Sequence, residues 1–283
     1  MLNACLVFIM FGVALELKLE NFKQVLKTPI PIISGLFSQL FLLPLCTILL
    51  INVIEPIPSV ALGMILVASC PGGNVSNFFS MMSKGNVALS VSITAISTSL
   101  SFIMTPINFA FWSSYYSPAN ALLQEVNLDI YSIIVTIFVV LLIPLIAGML
   151  IATHRPEIAK RISGVTRKAS LFIFGVFVIF TFTKNFEIFV QFISSIIILV
   201  TLHNGIALLA GYFSSSALRL TEQDRRSITI ETGIQNSGLA LVLIFDFFQG
   251  LGGMAIIAAW WGAWHLISGM LLSWYWSRRP LIA

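Results

Sequence analysis

Charged side chains are scarce in this sequence. Asp, Glu, Lys and Arg make up 9% of its 283 residues, where a soluble domain carries about a quarter. That scarcity excludes a water-covered globular surface for most of the chain. Apolar stretches long enough to cross a bilayer recur instead, and they indicate an all-α polytopic membrane protein whose main partner is lipid. Cysteine is also rare. Cys5, Cys46 and Cys70 lie inside apolar segments at irregular spacings, which excludes a disulfide framework and a zinc site. No phosphate loop, zinc motif or nucleophile triad is present, so neither an enzyme nor an ATP-driven pump is expected. The net charge of +4 is too small to imply nucleic acid. No positively charged segment precedes Leu2 to Leu15, so this start reads as a span and not as a cleavable signal peptide.

Nine helices are expected, over 2–17, 29–54, 57–83, 85–112, 129–153, 169–186, 187–217, 226–247 and 253–277. Of the 15 Lys and Arg residues, all but Lys184 then fall on one side. By the positive-inside rule this is the cytoplasmic side, with the N-terminus outside and the C-terminus inside the cytoplasmic membrane. The outer connections carry Glu55, Glu125, Asp129 and Glu187, and 113–128 is the longest of them. The basic stretch 153–169 reads as an inner loop.

Two of the nine spans are interrupted in mid-membrane. "CPGGNVSN" (70–77) breaks the third with Pro71, Gly72 and Gly73, and "ETGIQNSG" (231–238) breaks the eighth. A bilayer offers no water to the backbone groups that a break frees, so such breaks persist only inside protein or around a polar cavity. "FIMFGV" (8–13) and "FIFGV" (172–176) align the first four spans with the last four and match break to break. The pattern predicts an inverted repeat. The fifth span is left unpaired, as though one ancestral helix were missing or lay upstream of Met1.

Glu231 is the ionisable group at the centre of this arrangement. An acid inside a span is costly and points to function. No Lys or Arg sits at its depth, so a cation from solution is the expected partner. Sodium is a hard ion that takes oxygen ligands, as the alkaline-earth ions do. Ser76, Asn77, Ser90, Thr94, Gln235 and carbonyls freed by the breaks offer them. Ser90 and Thr94 share one helix face, and Ser97 and Ser101 continue it. Plainer roles exist for each residue. Hydroxyls in spans bond back to their own helix. Glu231 could be protonated, Gln39 could be interhelical glue, and His203 with Asn204 could lock the core. His265, which follows Trp260, Trp261 and Trp264, could simply pack.

"CPGGNVSN…KGNVALSVSITAIST" and "HNGIALLAGY…ITIETGIQNSGLA" resemble the bile acid:sodium symporter family, and the likeness covers nearly the whole chain. The resemblance implies the nine-helix form of a fold shared with some sodium/proton antiporters. It has two crossed, discontinuous helices, a core domain (29–112 and 187–277) and a panel domain (1–28 and 129–186). It also implies two co-transported Na⁺ ions. Positions matching Ser76, Asn77, Ser90, Thr94 and Glu231 hold one. Positions matching Gln39, Glu231, Thr232, Ile234 and Gln235 hold the other, Thr232 and Ile234 through their carbonyls. Asn74, Asn236 and His265 match positions that line the substrate cavity. Position 74 is often Thr in bacterial members, and position 75 is often smaller than Val75, so the pocket and its substrate stay open. The expected activity is sodium-coupled import of an organic anion, bile-acid-like or a small organic acid, with no protein partner required. A cation/proton antiporter of similar architecture is the alternative. A non-transporting metabolite receptor is disfavoured by the lack of a soluble output domain.

Overall fold

The computed structural model describes residues 29–118 and 130–281 except 185, with positions 7, 8, 10–12, 14, 15, 27 and 122; over 130–141 and part of 167–193 it describes backbone only. The expected first span and much of the 113–128 loop lie largely outside the described residues, as do Ile9 and Val13 of the "FIMFGV" match. So do Cys5 and the side chains of Lys184, Glu125, Asp129 and Glu187.

The described residues form helices joined by tight turns. α1 runs Pro29–Ile54. It is followed by α2 (Pro58–Ser69), α3 (Val75–Met82), α4 (Val87–Ser113), α5 (Ile130–His154), α6 (Pro156–Lys184), α7 (Phe186–Ala217), α8 (Glu222–Gly233), α9 (Ser237–Phe247) and α10 (Gly252–Ser277). Among the described residues α1, α4, the Ser194–Ala217 part of α7 and α10 are long and apolar enough to cross a bilayer. With the shorter apolar helices they make the chain a multi-pass membrane protein. Proline opens α2 and α6, where a missing N–H costs nothing. Glu55, Lys84, Arg219 and Gln249 take left-handed backbone at corners between helices, which lets the chain reverse within a few residues.

α6 corrects the sequence reading. The stretch 156–168 is helix and not loop, continuous with the apolar part of the same element. Its basic residues ride on an extension of the span, so charge marked the membrane boundary but not the end of the helix.

The buried core gathers around α2, α9 and α10. Every α2 residue from Val60 to Ser69 is buried. Here Gly63 allows two backbones to meet: a Cβ at this position would lie 2.7 Å from the Met254 Cα on α10. Close contact through a small residue is the usual way apolar helices associate in lipid. Ile32, Leu89, Ile93, Ile96 and Ile228 pack α1, α4 and α8 together in a second cluster.

A polar clasp fixes one end of this bundle. Arg226 is 1% exposed. Its guanidinium donates to Ser83 O (2.8 Å) and Trp276 O (3.1 Å), and pairs with Glu222 at 3.0 Å. Asn86 N–H donates to Gln223 O (3.1 Å), and Asn86 Nδ2 to Asp224 Oδ1 (2.8 Å). The start of α8 is thereby tied to the α3–α4 turn and to the end of α10.

Candidate functional site

Both interruptions are present. α2 stops at Ser69 and α3 starts at Val75, while α8 stops at Gly233 and α9 starts at Ser237. The two unwound segments cross as a minimal antiparallel pair, with Gly72 opposite Gln235. Gly73 N–H donates to Ile234 O (2.9 Å), and Asn236 N–H to Pro71 O (2.8 Å). Each break thus satisfies part of the backbone that the other leaves open. The crossing is close-packed as well. A Cβ on Gly72 would lie 2.7 Å from Gln39 Nε2 and 3.0 Å from Glu231 Oε2.

Glu231 lies on the last turn of α8, just before its break, and is fully buried. Its Oε1 accepts from Ser76 Oγ at 2.5 Å and from Ser90 Oγ, and its Oε2 accepts from Thr94 Oγ1 at 2.9 Å. Asn77 Oδ1 stands 2.9 Å from Ser90 Oγ and 3.4 Å from Thr94 Oγ1, and Ser76 Oγ stands 3.4 Å from Thr94 Oγ1. These are six oxygen–oxygen contacts, but Ser76, Ser90 and Thr94 bring only three hydroxyl protons. With Asn77 Oδ1 turned to the hydroxyls, protonating Glu231 would add one more and still leave contacts without a hydrogen. A cluster rich in oxygen and short of protons suits a cation. Among the described residues the ion pairs are those of Glu222 with Arg225 and Arg226, so no protein cation answers Glu231.

The alternative of simple back-bonding separates cleanly along α4. Ser92, Ser97 and Ser101 donate to carbonyls of their own helix, whereas Ser90 and Thr94 turn to Glu231 and Asn77. The expected continuation of the polar stripe through Ser97 and Ser101 therefore ends in the helix backbone and not in the cluster.

On the other side of Glu231 are two buried amides. Gln39 Nε2 donates to Glu231 O (3.0 Å), and Gln235 Nε2 donates to Thr232 O (2.9 Å). Their side-chain oxygens, Gln39 Oε1 and Gln235 Oε1, are buried without partners. Reversing either amide would set its oxygen against a carbonyl, which fixes the orientation. Ile234 O accepts from Gly73 N–H across the crossing. Each amide thus leaves a buried oxygen without a partner, which is costly in the interior and could serve as a donor to a cation.

Asn74 and Asn236 stand at the N-termini of α3 and α9. Asn236 caps α9 by accepting from Leu239 N–H (3.0 Å), while the Asn74 side chain makes no cap bond. His265 is buried on α10 with Nδ1 unpartnered. Among the described residues no hydrogen bond joins it to Asn74 or Asn236; its carbonyl accepts from Ser268 Oγ at 3.2 Å. His203 and Asn204 do lock the core. His203 Nε2 meets Thr47 Oγ1 at 2.7 Å, Asn204 Nδ2 donates to Gly233 O (2.8 Å), and Ser268 Oγ donates to Asn204 Oδ1 (2.6 Å). Ser38 was missed in the sequence. It accepts from Thr232 Oγ1 at 3.1 Å, and its only signal is its place beside Gln39.

The sequence model of the Sodium Bile acid symporter family matches residues 3–192. The chain belongs to this family. Among its relatives is the "Uncharacterized sodium-dependent transporter YocS" of Bacillus subtilis, 32% identical over 272 residues, which are 96% of this chain and 81% of that protein. The "Probable sodium/metabolite cotransporter BASS1, chloroplastic" of Arabidopsis thaliana is 28% identical, covering 95% of this chain and 65% of its own. The rat "Sodium/bile acid cotransporter 5" is 29% identical over 86% of this chain and 54% of its own. The symporter family thus reaches most of this chain, while the chain spans only about half to two thirds of the longer relatives. The relatives' alignments, unlike the family match, extend over the second break.

Proposed function

We propose that this protein is a sodium-coupled symporter that imports an organic anion across the cytoplasmic membrane by alternating access. The observation that carries the reading is the proton-poor oxygen cluster around Glu231, at the crossing of two broken helices. One Na⁺ binds Ser76, Asn77, Ser90, Thr94 and Glu231. A second binds the side-chain oxygens of Gln39, Gln235 and Glu231 and the carbonyls of Thr232 and Ile234. Glu231 serves both, so each ion improves the geometry the other needs.

The anion binds next to the ions, near Asn74, Asn236 and His265. The N-termini of α3 and α9 both open at the crossing, where the helix dipoles favour negative charge. The core is 29–112 and 187–277, and the panel is 1–28 and 129–186. They move against each other in a nine-span inverted repeat, with the N-terminus outside and the C-terminus in the cytoplasm. Names of the relatives support sodium coupling, and the charge distribution supports the orientation.

Uptake of an organic-acid panel into proteoliposomes tests the reading. Uptake is expected with external Na⁺ and is expected to fall to background when K⁺ replaces it. Uptake that is unaffected by the exchange overturns the proposal. Currents driven by a pH gradient alone, without organic anion, would favour the antiporter instead.

A further inference from the structure

We infer that Asn108 is a positioning residue for Gln39, acting through a π-helical turn in α1; the inference rests on the second sodium site proposed above. The chain of cause starts at Pro44. It has no N–H, so in α-helical register the carbonyl of Leu40, four residues earlier, has no donor, and the proline ring crowds it. At this point α1 widens into a π turn, Ser38–Leu42, in which Leu43 N–H bonds to Ser38 O. Single π turns inside α-helices are rare and often mark functional positions.

Leu40 O finds its donor elsewhere. Asn108 Nδ2, on the distal half of α4, reaches it at 2.8 Å. Among the described residues Asn108 is the one side chain that hydrogen-bonds the backbone of this turn. A carbonyl stranded in an apolar, lipid-surrounded bundle is costly, so this bond favours the wide turn over other arrangements.

The turn determines where its neighbours point. Ser38 and Gln39 both lie within it, and both are fully buried. Ser38 Oγ accepts from Thr232 Oγ1 (3.1 Å), and Gln39 Nε2 donates to Glu231 O (3.0 Å), leaving Oε1 unpartnered at the crossing. Asn108 touches neither Glu231 nor Gln39 by hydrogen bond. It holds the backbone from which Gln39 extends, as an outer partner orients a ligand side chain.

The test uses the purified full chain in detergent and Na⁺ itself as the probe. Thermal stability is followed from choline chloride into NaCl at constant ionic strength, and the half-saturating Na⁺ concentration is read. Asn108→Leu is expected to raise it about tenfold, the usual effect of losing an outer partner. Gln39→Ala is also expected to raise it. The double variant is expected to be no worse than Gln39→Ala alone, because Asn108 acts through Gln39; a merely structural role would multiply the two effects. Asn108→Ser, whose hydroxyl is too short to reach Leu40 O, gives the same reading if Asn108→Leu does not fold. A native half-saturation value in these variants, or multiplying effects in the double variant, overturns the inference and leaves the sodium sites standing. No Na⁺-dependent shift in the unmodified protein overturns both.

Discussion

Glu231 was legible in the sequence because it is an acid without a cationic neighbour in an apolar span. Ser76, Asn77, Ser90 and Thr94 were legible as oxygens within reach of the breaks. Their division of labour was not. Ser90 and Ser97 look alike in sequence, yet one faces Glu231 and the other bonds to Thr94 O. Only the angle at which α4 packs on α3 and α8 separates them. Glu231→Ala removes the group that both proposed ions share, and sodium-dependent uptake should fall to the K⁺ background. Thr94→Val keeps the shape and removes one oxygen. A hydrogen bond to a charged group contributes roughly 1.5–3 kcal/mol, so the Na⁺ concentration for half-maximal uptake should rise by about tenfold or more. Ser163→Ala, on the exposed face of α6, should leave both measurements unchanged.

The two broken helices were legible as elements, because Pro71-Gly72-Gly73 and Gly233…Gly238 punctuate otherwise apolar runs. The helical register of Glu231, on the turn before the break, was not. Neither was the π turn, which Pro44 signals only to a reader who asks what happens to the carbonyl four residues earlier. The helical extension over 156–168 was hidden for another reason: basic residues report where water begins, and a helix can continue past that point. Arg226 is a feature of the same scale, since it ties the start of α8 to the ends of α3 and α10. Arg226→Met leaves Glu222 with Arg225 as its remaining partner and the carbonyls of Ser83 and Trp276 without this donor. Each lost hydrogen bond from a charged group of this kind costs about 1.5–3 kcal/mol. Thermal denaturation in detergent should show a clear drop in Tm. Arg226→Lys should recover little of it, because an ammonium group lacks the planar fork that reaches several acceptors.

For the whole molecule, the strongest sequence signals were the most global ones: scarce charge, recurring apolar spans, and basic residues segregated to one side. They place the chain in a membrane before any contact is known; the likeness to the symporter family came from the motifs around the two breaks. What they leave open is which part moves. The clasp at Arg226 and the paired backbones at the crossing join α3, α4, α8 and α10 into one body, as the proposed core requires. In this account sodium does its work by ordering the crossing, and the anion binds to what sodium has ordered. The direct test is the affinity of the purified protein for its best-binding organic anion, measured in sodium and in choline medium at equal ionic strength. The account predicts markedly tighter binding in sodium, with the difference lost in Glu231→Ala; equal affinity in the two media would contradict it.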